Sequence, residues 1–170
     1  MRRGTGPIAG ALLAIALLMA RAAGGAGDEP PNQVLGTWRM VSATIERAGE
    51  SVPAYGERPS GMLVFTPDMH FVEVLTDADV PRFASDVRGG GTAEENAAAM
   101  AGGIGFFGTY SVDSAGAFAG NRVVGSTFPN WIGSVRTKRD LQLRVEGERM
   151  FETFQRPDGT RVAIVFKRVR

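Results

Sequence analysis

From Thr37 to the C-terminus the chain is a succession of short runs in which apolar and polar residues alternate, each closed by turn residues. Alternation puts successive side chains on opposite faces, so such runs read as half-buried strands. In order, strands are expected over Thr37–Arg47, Gly61–Thr66, Met69–Leu75, Phe106–Val112, Asn121–Thr127, Ser134–Val145, Arg149–Gln155 and Thr160–Val169. Short turns such as Pro67-Asp68, Glu146-Gly147-Glu148 and Pro157-Asp158-Gly159 make consecutive strands antiparallel neighbours. An eight-stranded meander hides its edges either as a sandwich or by closing on itself, and strong strands at both ends favour closure. The fold class expected is therefore all-β, an eight-stranded antiparallel up-and-down barrel.

One stretch departs from this pattern. Thr92 with Glu95 three residues on forms a capping box, and the alanine-rich run to Ala101 is a good helix former. A short helical insertion is predicted between the third and fourth strands. At the first strand, Gly36-Thr37-Trp38 lets the backbone turn in tightly and then places the largest apolar side chain on the floor of the core. Strict alternation there puts Trp38, Met40, Ser42 and Thr44 on one face and Arg39, Val41, Ala43 and Ile45 on the other.

The N-terminus has its own logic. Met1-Arg2-Arg3 precedes an apolar run of about 12 residues, Ile8 to Met19, which is short of the roughly 20 that span a bilayer. Small residues then fit a cleavage site after Ala22 or Ala26, so residues 1–26 read as a signal peptide, 27–33 as a polar lead-in and 34–170 as one barrel domain. Export, to the periplasm or outside the cell, is the expectation, with no membrane-spanning segment after cleavage. The 19 basic and 18 acidic residues become 16 against 18 once Arg2, Arg3 and Arg21 are removed, a mature charge of −2. That balance lacks the basic footprint that nucleic acid requires. The absence of cysteine excludes disulfides, thiolate metal sites and cysteine nucleophiles.

His70 is the only histidine, which excludes a multi-histidine metal site, and no G-x-S-x-G, H-E-x-x-H or Walker-type motif is present. No cofactor or metal is expected. Glu73 shares a strand face with Phe71 and Leu75, where a carboxylate resists ionisation unless paired. It would bind a cationic group, move a proton, or simply pair with Arg136 or Arg139. Tyr110 shares a face with Phe106 and Gly108 and sets a hydroxyl on an aromatic wall, as core or as pocket. Trp131, in Phe128-Pro129-Asn130-Trp131, would rim one barrel end, and Arg82, in the loop before Gly89-Gly90-Gly91, would lie over the mouth.

Five pieces in sequence carry a resemblance: Leu35-Gly36-Thr37-Trp38, Gly61 to Asp68, Pro81 to Ser85, Phe107-Gly108-Thr109-Tyr110, and Gly125 to Gly133. The chain resembles the bacterial and fungal lipocalin-like domains of the calycin type. The resemblance implies an up-and-down barrel with a cavity for a small, largely apolar molecule. It also implies an arginine of the last strand beside the first-strand tryptophan, a place that Arg168 matches. Asn121 and Arg122 stand where such domains often carry histidines, and Arg136 where they often carry glutamine. The expected role is thus an exported lipocalin-like protein binding a small hydrophobic or amphipathic molecule, rather than an enzyme. The ligand-binding candidates are Phe71, Glu73, Arg82, Phe106, Tyr110, Asn121, Trp131 and Arg136, with Gly36, Trp38 and Arg168 as the structural floor. The alternatives are a cofactor-free isomerase or cyclase using acid-base groups in the cavity, and a packed barrel acting as an envelope interaction module.

Overall fold

The computed structural model describes residues 31–47, 49–156 and 158–170, so the leader and its cleavage site lie outside the described residues. The strands are β1 (Gly36–Arg47), β2 (Glu50–Pro53), β3 (Pro59–Phe65), β4 (His70–Asp77), β5 (Gly103–Val112), β6 (Phe118–Ser126), β7 (Val135–Thr137), β8 (Leu141–Glu146), β9 (Arg149–Gln155) and β10 (Arg161–Arg168). Among the described residues one helix, α1 (Ala93–Ala101), and a 3-10 turn at Pro129–Trp131 complete the elements. Among the described residues no helix is long and apolar enough to cross a membrane.

All pairings are antiparallel, in the order β7-β6-β5-β4-β3-β1-β10-β9-β8, with β2 paired to the far half of β1. The two ends of this order, β7 and β8, are neighbours in the chain and touch across the seam, giving a nearly closed barrel. The class matches expectation, but the strand count is ten among the described residues rather than eight. The expected strand over Ser134–Val145 is cut in two because the Asp140 carboxylate accepts from the Thr137 amide (2.9 Å) and hydroxyl (3.0 Å), which folds a turn. The loop after β1 meanwhile turns back far enough to pair as β2.

A second correction concerns which face of β1 is inside. The register with β10 shifts between Met40 and Ser42. This bulge inserts one residue, Val41, which is left half exposed, and the inward set becomes Trp38, Met40, Ala43 and Ile45. It also bends β1 so that its first half pairs with β3 and its second with β2.

The capping box forms as expected, with the Thr92 side chain accepting from the Glu95 amide and the Glu95 carboxylate accepting from the Thr92 amide. Glu95 also accepts from the Ala84 amide at 2.9 Å, tying the preceding loop to the helix start. No residue of α1 is buried, so the helix adds little to the core, but Met100 and Ala101 reach the barrel mouth.

Inward side chains stack in layers. At the closed end Trp38, Phe65, Phe71, Phe118, Met150 and Phe166 are all buried. Phe65 centres an aromatic group, with Phe71, Tyr110 and Phe118 rings at 6.2, 4.7 and 6.3 Å. Burying this much apolar area is the main force that holds the barrel closed there.

Candidate functional site

At the closed end the first-strand tryptophan and the last-strand arginine stand side by side. Trp38 is fully buried and its indole N–H donates to the Val34 carbonyl at 2.7 Å. The Arg168 guanidinium lies 4.0 Å from the ring centroid and donates to the Leu35 and Gln33 carbonyls. Gly36, at φ 116°, permits this close approach, since a Cβ there would stand 3.0 Å from Arg168 Nη1. Tyr110 also belongs to this end. Its hydroxyl donates to the Thr66 carbonyl (2.8 Å) and accepts from Asn32 Nδ2 (2.7 Å), so it latches the floor. Phe71 is buried in the same layer.

One layer up, the interior turns polar. The alternation of β4 that buries Phe71 and Leu75 also buries Glu73, which is 3% exposed. The same alternation on β9 buries Glu152 between Met150 and Phe154, at 7% exposed. These strands face each other across the barrel, and the two carboxyls share a side-chain hydrogen bond. Arg136, the inward residue of the short strand β7, is 6% exposed and lies among aromatic rings. Its guanidinium carbon is 4.4 Å from the Trp131 centroid, 4.8 Å from Phe154 and 5.2 Å from Phe106. Phe106 pairs with Glu73 in register, and Asn121 pairs with Arg136.

Electrostatics follow from this burial. Desolvation drives Glu73 well above the ordinary carboxylate range, and the charge of Glu152 adds to it against the opposing pull of Arg136. Desolvation likewise pushes Glu152 up to about 7, with Arg136 restraining it. Two carboxyls in contact cannot both ionise cheaply, so the pair holds one proton between them well above the ordinary carboxylate range. Burial pulls Arg136 down from its ordinary value, while Glu152 and Glu73 hold it up, and it stays charged. The Tyr55 hydroxyl is raised by burial and by the charges of Glu73 and Glu152, which places it beside the same layer.

Above this layer opens a cavity of about 610 Å3 at the mouth, lined among others by Tyr55, Ile104, Phe128, Trp131, Phe154 and Arg156. Trp131 and Phe154 therefore form both the cavity wall and the rings around Arg136. The Trp131 ring sits edge-on to Phe106, Phe128 and Phe154 at 5.2, 6.0 and 6.2 Å. A mostly apolar hollow over a few fixed polar groups is the usual form of a small-molecule site.

Of the sequence candidates, the structure brings together Glu73, Phe106, Asn121, Trp131 and Arg136. Phe71 and Tyr110 lie deeper, at the floor. Arg82 is exposed in a shallow surface hollow with Phe83 and Asp86, away from the mouth cavity, because the loop after β4 runs outside the wall beside α1. His70 faces outward, 3.3 Å from Asp68. No cluster of three metal-ligating side chains occurs among the described residues. Sequence reasoning missed Glu152, Phe154 and Tyr55. Glu152 carries the same signal as Glu73, a carboxylate on the apolar face of a strand, whereas Tyr55 sits in an irregular loop that no periodicity reads.

The family model for the lipocalin-like domain matches residues 35–165, nearly the whole described barrel. The chain belongs to the lipocalin-like domain family. Among solved structures, a redesigned β-barrel is similar over 81% of this chain and 93% of its own, at 12% identity and a TM-score of 0.41. No curated protein matches the chain. Membership of the lipocalin-like family supports ligand binding within the barrel as the general role.

Proposed function

We propose that this is an exported lipocalin-like protein that binds a small, largely hydrophobic molecule at the mouth of its barrel. The observation that carries the reading is the cavity of about 610 Å3 walled by Ile104, Phe128, Trp131 and Phe154. Its size falls within the ~300–1,000 Å3 of small-molecule sites. Export rests on the basic start, the apolar run Ile8 to Met19 and the small residues at Ala22 and Ala26.

Native mass spectrometry of the protein purified from its host is expected to show a bound small molecule that denaturation releases. Repeated isolation of an empty protein that takes up no hydrophobic probe would sink the reading. Sequencing the N-terminus of the exported form tests the other half, with cleavage expected after Ala22 or Ala26. The Glu73–Glu152 pair favours a second reading, a cofactor-free isomerase or cyclase, because a carboxyl near 7 suits general acid-base work. Conversion of the released molecule on return to the apoprotein would select that reading.

A further inference from the structure

The polar layer beneath the cavity holds donors and acceptors that do not meet. Arg136 carries five N–H donors. Its guanidinium is held by ring faces and by the charges of the Glu73–Glu152 pair and Asp140, with no side-chain hydrogen bond to another described residue. On the other side, Asn121 Oδ1 is a buried acceptor without a partner, and Glu73 Oε1 and Glu152 Oε2 are buried with none outside the carboxyl pair itself. All three belong to side chains more than nine-tenths buried. Leaving such groups unpaired is costly, so the layer is built for something that joins them.

A group that fits must accept from the guanidinium and donate to the carboxyl pair. A carboxylic acid does both. Charge points the same way. With one proton shared by Glu73 and Glu152, the pair carries a single negative charge and the layer is neutral beside Arg136. A ligand carboxylate adds one negative charge, and a proton taken from solvent onto the shared carboxyl network restores neutrality. An alcohol brings no charge and takes up no proton, whereas a quaternary ammonium meets the like charge of Arg136 and offers neither donor nor acceptor. Trp131 and Phe154 wall the cavity and touch Arg136, so a head at their inner edge leaves an apolar chain in the hollow.

We propose that the cavity takes an amphiphilic carboxylic acid, with its head between Arg136 and the Glu73–Glu152 pair, its chain against Ile104, Phe128, Trp131 and Phe154, and one proton taken up on binding. This rests on the binding reading above. The groups facing Glu152 are Glu73 from β4, Arg136 from β7 and Tyr55 from the β2–β3 connection, with Arg156 beyond Tyr55 and Asp140 beyond Arg136. β8 and β10 set Leu143 and Ile164 beside it, neither of which titrates. Below about pH 7 the free site already holds its protons and acid binding is strongest. Above it, each pH unit weakens binding up to tenfold until the ligand-raised value is reached.

The test uses the full chain stripped of bound lipid, with dodecanoate, dodecanol and dodecyltrimethylammonium below their micellar concentrations. Calorimetry at pH 8 in buffers of different ionisation enthalpy counts the protons. Dodecanoate is expected to bind at least tenfold more tightly than dodecanol at pH 7, to take up close to one proton at pH 8, and to weaken towards pH 9. Glu152→Gln should abolish the proton uptake and flatten the pH dependence of whatever dodecanoate affinity it keeps, and Arg136→Gln should bring acid and alcohol to similar affinity. Equal wild-type affinity for acid and alcohol, or acid binding without proton uptake, overturns the acid-head inference and leaves the binding function standing. Failure of all three probes, in a protein that co-purifies with nothing, overturns both.

Discussion

Stability should fall as pH rises from 5 to 8, which is opposite to the behaviour of a protein whose carboxylates are held by ion pairs. The perturbation is simple titration, and its cause is the buried Glu73–Glu152 pair. Both carboxyls bind protons more tightly in the folded barrel than in the unfolded chain, where a glutamate titrates near 4.5. A group raised in this way stabilises fully below its unfolded value and loses that contribution as pH rises through its folded value. For Glu152, lifted from 4.5 to about 7, the loss amounts to about 3 kcal/mol, complete just above pH 7. Glu73 adds to the loss in the same direction and continues beyond. The surface carboxylates Asp68, Asp79, Asp113 and Asp140 are shifted the other way, by hydrogen bonds and nearby cations, so their stabilisation disappears only in acid, below this window. Urea denaturation at pH 5, 6, 7 and 8 reads the difference, and an unchanged m-value keeps the comparison sound. Each carboxyl contributes up to about 1.4 kcal/mol per pH unit, so Glu152→Gln should roughly halve the slope between pH 5 and 7. A wild-type stability that is flat or rising over the whole range would refute the placement of both carboxyls inside the barrel.

Trp38→Ala should cost about 3–5 kcal/mol in the same denaturation, since it empties a fully buried site and strands the Val34 carbonyl and the Arg168 stack; a near-neutral result would show that the floor is misplaced. Gly108→Ala should cost about 3 kcal/mol or more, or prevent folding, because a Cβ there would stand 1.9 Å from the Arg122 carbonyl oxygen at the β5–β6 bulge. Soluble, stable protein with unchanged circular dichroism would contradict that register. Trp131→Ala should weaken binding of the cavity ligand about tenfold while costing less stability than Trp38→Ala, because Trp131 is only partly buried and stands at the mouth. Titration of the released native ligand back into the variant measures the loss, and unchanged affinity would remove Trp131 from the site.

Most of the fold was legible because strand periodicity is local. The hairpin from Gly61 through Pro67-Asp68 to Leu75, the capped helix after Thr92 and the strand Arg149–Gln155 each follow from a few neighbouring residues, and each is found within a residue or two of its expected place. Errors arose where local pattern competed with pairing. The bulge at Val41 reverses the inward face of β1 midway, and nothing in the alternation of Met40 to Ile45 announces it. The turn at Thr137–Asp140 was hidden because Asp140 reads as one polar strand residue until its carboxylate is seen to cap Thr137.

The site divides along the same line. Sequence alone determined that a carboxylate shares a face with Phe71 and Leu75, that Trp38 starts the barrel floor, and that aromatic residues cluster around Pro129. Only the tertiary structure decided that Glu73 meets Glu152 from the opposite wall and that Arg136 lies against three rings supplied by β5, the 3-10 turn and β9. It also moved Tyr110 to the floor, because depth along a tilted strand is not visible in the residue order. The physical reason is one of range. Alternation is set by the pleat within a strand, whereas contact across a barrel depends on closure, register and bulges, which combine contributions from every strand at once.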